Sequence, residues 1–305
     1  MSWMPVLLLL TACTGSGDTA QDSATPSGTA PPGDSGEPPS ERTGPWVTVS
    51  TADVSSCGLR DDGTIACWGA DTFGESTPPD GEVFVDVSAG YRTSCGVLLD
   101  GTLSCWGDDH MGEPPGGDFR QVAVAPLHAC ALGVDGEVTC WGDDGNGEAS
   151  PPEGPFSRVS VGSGAFSCGL RSEGTIACWG SDADGRATPP DGSFTDLDLG
   201  DDHACAVTVA GEVSCWGEDD YGQLDAPEAA FDAVTAGAYH SCGLTGGAAL
   251  CWGADGQVNF GQVPAAGGDF ESLSAGGWHN CGVTPTGELA CWGADNAGQA
   301  TPPEG

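Results

Sequence analysis

The chain has 305 residues, with 45 Asp and Glu against 7 Lys and Arg, and a formal net charge of −38 at pH 7. Every one of those bases is Arg. So one-sided a surface repels phosphate backbones and anionic headgroups, which excludes nucleic acid as a partner and leaves a solvated shell as the reading of the charge.

The first segment, M-S-W-M-P-V-L-L-L-L-T-A-C, is too short to span a bilayer and has the layout of an export signal. Its apolar run leads into Leu10-Thr11-Ala12-Cys13, which resembles a bacterial lipobox. In that class of signals the Cys is acylated and opens the mature chain. The chain has 15 Cys, and Cys13 is the one left over after seven pairs. More than one acyl chain on a residue anchors stably where one does not. Thr14 stands where an inner-membrane retention signal has Asp, so the resemblance implies the outer membrane or cell surface. From Thr14 to Gly44 the chain is mostly Gly, Ser, Thr, Pro, Asp and Glu with almost nothing apolar, and cannot offset the entropy of ordering. The expected organisation is a lipoprotein signal peptide at 1–12, an acylated Cys with a disordered tether over 13–45, and a folded region at 46–305.

That folded region repeats one unit seven times, with units starting near 46, 84, 119, 156, 194, 231 and 270. Each unit opens with Trp or Phe, followed three residues later by Val or Leu, which reads as a short first strand. Paired cysteines follow: Cys57 and Cys67, Cys95 and Cys105, Cys130 and Cys140, Cys168 and Cys178, Cys205 and Cys215, Cys242 and Cys251, Cys281 and Cys291. The midpoint of each pair falls in a turn, Asp61-Asp62-Gly63 in the first unit, so the cysteines face each other across a hairpin. In the sixth unit one residue is missing and the turn becomes Gly246-Gly247, which keeps the cysteines opposed. Opposed positions are close enough for a disulfide. Structural zinc would need clustered C-x2-C ligands, which are absent. After each pair comes Trp-Gly-x-Asp, then in six units Gly three residues beyond the Asp, the pattern of a type I turn, while unit six is interrupted by an insertion around Val258–Gly261. Pro-Pro closes most units and cannot donate to a ladder.

Seven such units predict an all-β fold, a seven-bladed β-propeller with three-stranded blades, one intra-blade disulfide each, and room for a short fourth strand. The unit G-x-x-H-S-C-G-L…D-G-T…C-W-G-x-D…G-Q, clearest over Gly237–Gly253 and Gly276–Gln299, resembles the regulator of chromosome condensation repeat. The resemblance implies a seven-bladed propeller, with short-unit bacterial members among its relatives. The eukaryotic founder of that family is a nucleotide exchange factor, and nothing in these residues carries that activity over.

Four histidines share one repeat position, His128, His203, His240 and His279. The resemblance assigns them a structural role, and no carboxylate recurs beside them. The Asp that follows Trp-Gly is read as turn-forming, since no unit has the full ligand series of a calcium loop. No metal and no cofactor are expected. With the thiols paired and no nucleophile motif present, the chain is not expected to be an enzyme.

Positions that differ between units on one exposed loop are free to serve a ligand. The sharpest divergence lies three and four residues before the first Cys of each pair. It supplies the candidate binding residues Tyr91, Arg92, Leu127, Asp202, Tyr239 and Trp278, of residue types that dominate interface hot spots. The sequence therefore predicts a monomeric, exported lipoprotein that binds a protein through one propeller face and touches the membrane only through its anchor. The alternatives are a carbohydrate or cell-wall-binding module, or a structural envelope protein.

Overall fold

The computed structural model describes residues 45–264 and 267–303. The expected signal peptide, the expected acylation of Cys13 and the expected tether up to Gly44 fall outside the described residues. Each repeat forms one three-stranded antiparallel sheet in chain order. In blade one the strands are Trp46–Thr51, Ser55–Arg60 and Ile65–Gly69. The first strands of the next six blades begin at Phe84, Phe119, Phe156, Phe194, Ala233 and Ser272. In the last two blades the aromatics Phe231 and Phe270 sit just ahead of the strand, still buried. No fourth strand forms among the described residues. The Pro-Pro segments run outside the ladders, as their missing N–H groups require.

The first strand of every blade packs beside that of the next, and blade seven packs on blade one, so the inner strands close a circle. They surround a channel cavity of about 350 Å³. The middle and outer strands hold the cystines, with the two Cys directly opposed in all seven hairpins, Cys57 facing Cys67 in the first. Their Cα atoms are 4.0–4.1 Å apart. The hairpin turn works as its sequence requires: Gly63 has φ +81°, and Gly246 and Gly247 have +56° and +89°, the left-handed region that favours glycine.

Apolar packing lies between blades. Cys57 and Leu59 of blade one share a cluster with Phe84, Val87 and Trp106 of blade two. Trp46, Val49 and Trp68 pack in the same way against Cys281 and Val283. The Gly after the first Cys has a packing cause, since a Cβ on Gly58 would stand 2.6 Å from the Trp46 ring.

Polar joints reinforce these contacts. In six blades the Trp indole donates to a backbone carbonyl of the preceding blade's loop, as Trp106 Nε1 does to Glu75 O at 2.9 Å. Ser94, Ser167 and Ser241 donate to the same carbonyls, at 3.0–3.1 Å. The four histidines complete the joints. Nε2 of His128, His203, His240 and His279 lies 2.8 Å from Ser167, Ser241, Asn280 and Ser56 of the next blade. The last of these bonds, with Trp68 Nε1 on Gln299 O at 2.8 Å, closes the ring.

Each inner strand is a sheet edge whose outward N–H groups need acceptors. Side chains of the neighbouring blade supply them. Ser50 accepts from Ala89 N–H, Ser88 from Val124, Ser160 from Leu199, Asp198 from Ala236, Thr235 from Ala275 and Ser274 from Thr51, all at 2.9–3.2 Å. Ala123 holds the seventh place and has no acceptor to offer.

Candidate binding face

Three antiparallel strands return the chain to the face where the first strand ended. The turns between first and middle strands therefore share one face with the loops after the outer strands; this is the upper face. The hairpin turns such as Asp61-Asp62-Gly63 lie on the lower one.

The upper loops are braced by their own side chains. Asp71 accepts from Ser76 N–H at 2.9 Å and Thr77 Oγ1 at 2.8 Å, and Asp144 and Asp295 repeat the arrangement. The buried Glu or Gln after the loop Gly folds back on the residue before it. Glu75 takes Phe73 N–H, Gln223 takes Tyr221 N–H and Gln262 takes Phe260 N–H, at 2.6–2.8 Å. These acids and amides hold the backbone, and what stands before the Gly is free to vary.

Each divergent turn sends its two residues to different places. The first lines the channel mouth: Asp53, Tyr91, Pro126, Asp201, Ala238 and Gly277. Asp53 and Asp201 belong to blades one and five. Burial, then the charge of Asp201, raises the Asp53 carboxyl to about 6. The second residue turns towards the preceding blade's loop. Arg92 stacks 4.2 Å over the Phe73 ring and pairs with Asp108. Asp202 pairs with Arg186. Tyr239 meets Tyr221 edge-on at 4.9 Å and stacks with Trp278 at 6.4 Å and 12°. Trp278 in turn meets Phe260 at 5.8 Å.

Of the candidate residues, Tyr239 and Trp278 are thus brought together, while Tyr91 and Leu127 are exposed apart from them. Arg92 and Asp202 are already engaged within the chain. Two members of the aromatic row, Tyr221 and Phe260, come from the outer loops and escaped the sequence reading. Both occupy the place before the loop Gly, which Phe73, Met111, Asn146, Asp184 and Ala297 fill in other units. Comparing that place across repeats, with the strand parity, is the signal that finds them. The insertion in unit six forms a short turn at Gly256–Val258 and leaves Phe260 52% exposed.

The channel below the mouth is polar. Arg158 Nη1 lies 2.9 Å from Asp196 Oδ1. Asp86 accepts from Val122 N–H at 2.8 Å, and burial pushes its carboxyl up to about 7. Burial also lowers the histidines, His203 to about 3 and His128, His240 and His279 to about 4. Neutral rings locked into joints act as structural side chains. Among the described residues no three of His, Cys, Asp and Glu gather as a metal-binding group.

Residues 84–113, 194–223 and 270–299 match the regulator of chromosome condensation (RCC1) repeat. The chain is an RCC1-repeat propeller. No curated protein matches it in sequence. Among solved structures, the ectodomain of the Physcomitrella patens receptor kinase CR4 is 27% identical with a TM-score of 0.69, over 82% of this chain and 74% of that one. The CRINKLY WD40 ectodomain of the Arabidopsis thaliana receptor kinase ACR4 is 24% identical with a TM-score of 0.67, over 82% and 96%. Prp20p of Saccharomyces cerevisiae, whose binding to Gsp1p and histones has been described, is 13% identical with a TM-score of 0.63, over 76% and 80%. These last two likenesses speak for the RCC1-repeat fold alone. Seven buried disulfides mark this RCC1-repeat chain as one that folds in an oxidising, exported compartment.

Proposed function

We propose that this propeller is a non-catalytic binding protein, tethered through an acylated Cys13 at the outer membrane or cell surface, that docks a protein partner on its upper face. The observation that carries the reading is the aromatic row of half-buried Tyr221 and Tyr239 and exposed Trp278 and Phe260. It is built at repeat positions that blade packing leaves free. Large apolar surfaces left open beside polar rims mark interaction sites. RCC1-repeat propellers commonly serve as protein-binding scaffolds, and the CR4 receptor ectodomain neighbour is in keeping with export.

The test is capture of envelope and extracellular proteins by the chain and by its Tyr239→Ala and Trp278→Ala variants. A partner held by the parent and weakened by roughly 1 to 4 kcal/mol in each variant, at nearly unchanged Tm, supports the face. Binding that survives both changes and is abolished by substitutions at Asp61 or Asp135 assigns the lower face instead. Saturable binding to purified wall polymer, with no protein retained, would favour the carbohydrate-binding alternative. The anchor is checked by Cys13→Ala, which should move the protein to the soluble fraction.

A further inference from the structure

The distribution of arginine sharpens the kind of partner. From Phe194 to the end of the sequence there is no Arg or Lys, so blades five to seven are acidic throughout. In the earlier blades aromatic rings carry cations of the chain's own: Arg60 over Trp46, Arg92 over Phe73, Arg171 over Phe156 and Arg186 over Phe166.

One of these pairs occupies the repeat positions of the aromatic row. Phe73 stands before the loop Gly of blade one, and Arg92 stands three residues before the first Cys of blade two. The guanidinium lies 4.2 Å from the ring centroid and is paired with Asp108. Between blades five and six the same two places hold Tyr221 and Tyr239, and between six and seven Phe260 and Trp278. Here both places hold rings and neither holds a cation. Acidic residues flank the Tyr221–Tyr239 pair: Asp255 N–H bonds the Tyr221 carbonyl at 3.1 Å and Glu218 N–H the Asp202 carbonyl at 3.0 Å, and burial with the charges of Asp202, Asp220 and Asp184 raises the Glu218 carboxyl, against Arg186. Burial and the nearby Asp201 and Glu218 also raise the Tyr239 hydroxyl. Aromatic faces in an acidic rim attract a guanidinium or ammonium group both through the ring quadrupole and by charge.

We infer that the ledge of Tyr239 and Trp278 seats an arginine or lysine side chain from a basic segment of a partner protein, with Glu218 beside it. In this arrangement Tyr239 and Trp278 cover Tyr221 and Phe260 as Arg92 covers Phe73, and the cation comes from the partner. The inference rests on the docking face proposed above.

The experiment uses the full, disulfide-intact chain and a fluorescent peptide of alternating arginine and glycine, beside a counterpart with citrulline for arginine. Anisotropy is read at about 0.15 M salt, where remote charges are screened. The arginine peptide should bind, and the citrulline peptide at least about tenfold more weakly. The double variant Tyr239→Ala/Trp278→Ala leaves the charge unchanged and should lose about tenfold or more. Tyr239→Leu/Trp278→Leu, which keeps apolar bulk, should lose as much, and Glu218→Gln a few-fold. Equal binding of the arginine peptide to both double variants and to the parent would mean attraction by net charge alone, and equal binding of the two peptides would remove the cation; either overturns the inference. A partner weakened by Trp278→Ala but not displaced by the arginine peptide would keep the docking face and overturn the cation. A partner indifferent to Trp278→Ala, beside a ledge that still prefers arginine, would keep the cation seat and overturn the docking reading.

Discussion

Blades one to four and blades five to seven are built by the same joints and are both acidic, yet only the first group carries cations of its own. Trp106 and Trp252 make the same indole bond to the preceding blade, at 2.9 Å in both. Yet all the described arginines lie in the first group, several covering rings, while the rings of the second have no cation of the chain's own. Because every blade meets the same packing problem, the joints fix the buried residues alike. The loops are released from that problem, and there the halves have diverged.

The largest expected effect tests the shared part. Replacing Cys95 and Cys105, or Cys242 and Cys251, by Ala should cost about 3 kcal/mol in either half, since both bridges close loops of similar length. Denaturant unfolding of the two variants checks this, and a cost confined to one half would break the equivalence.

Acid should separate blades six and seven from blade two. An unfolded His titrates near 6.5, while the buried His240 and His279 are held near 4. Below 6.5 the unfolded chain binds more protons, so their stabilisation is complete above that pH and is lost as pH falls towards 4. Asp86 of blade two runs the other way. Its folded value of about 7 exceeds the ordinary carboxyl value of 3.8, so its contribution is complete below 3.8 and is lost as pH rises through 7. Hydrogen exchange at pH 4.5 against pH 7 should open blades six and seven ahead of blade two, and His240→Gln should flatten the fall in Tm with acid. Unchanged acid sensitivity in that variant would show that the histidine joints are not its source.

Smaller costs follow for Trp106→Phe and Trp252→Phe, about 1–2 kcal/mol each, from the lost indole bond and a smaller ring. The smallest difference lies on the upper face. Arg92→Ala should cost about 0.5–1 kcal/mol, because its cation already sits on Phe73, whereas Tyr239→Phe should stay within about 0.5 kcal/mol. Calorimetry on the two variants orders them.

The hairpins, disulfides and turn glycines were legible in the sequence because each depends on spacing within one unit. Cys242 and Cys251 remain opposed despite the lost residue, as the Gly246-Gly247 turn predicts. The face of the divergent turns was legible from strand parity. What escaped is whatever two units make together. Ser50, Ser88 and Ser160 read as ordinary strand serines until the next blade's edge amides lie against them. Tyr221 and Phe260 belong to loops whose neighbours are a whole unit away in sequence, and a pattern read within one repeat does not contain them. Arg92 looked free for a partner because the Phe73 ring beneath it belongs to the preceding unit.

The closing joint between blades seven and one uses the same bonds as the others, His279 on Ser56 and Trp68 on Gln299, and every blade takes its three strands from one continuous stretch. A ring closed in this way has no terminal repeat to cap and no strand lent from one end of the chain to the other. Its topology is indifferent to where the chain is cut, so new termini in any Pro-Pro segment preserve every sheet. Such a scaffold also changes size by whole units of chain, because each added or lost blade brings its own disulfide, its own hairpin and one half of each adjoining joint.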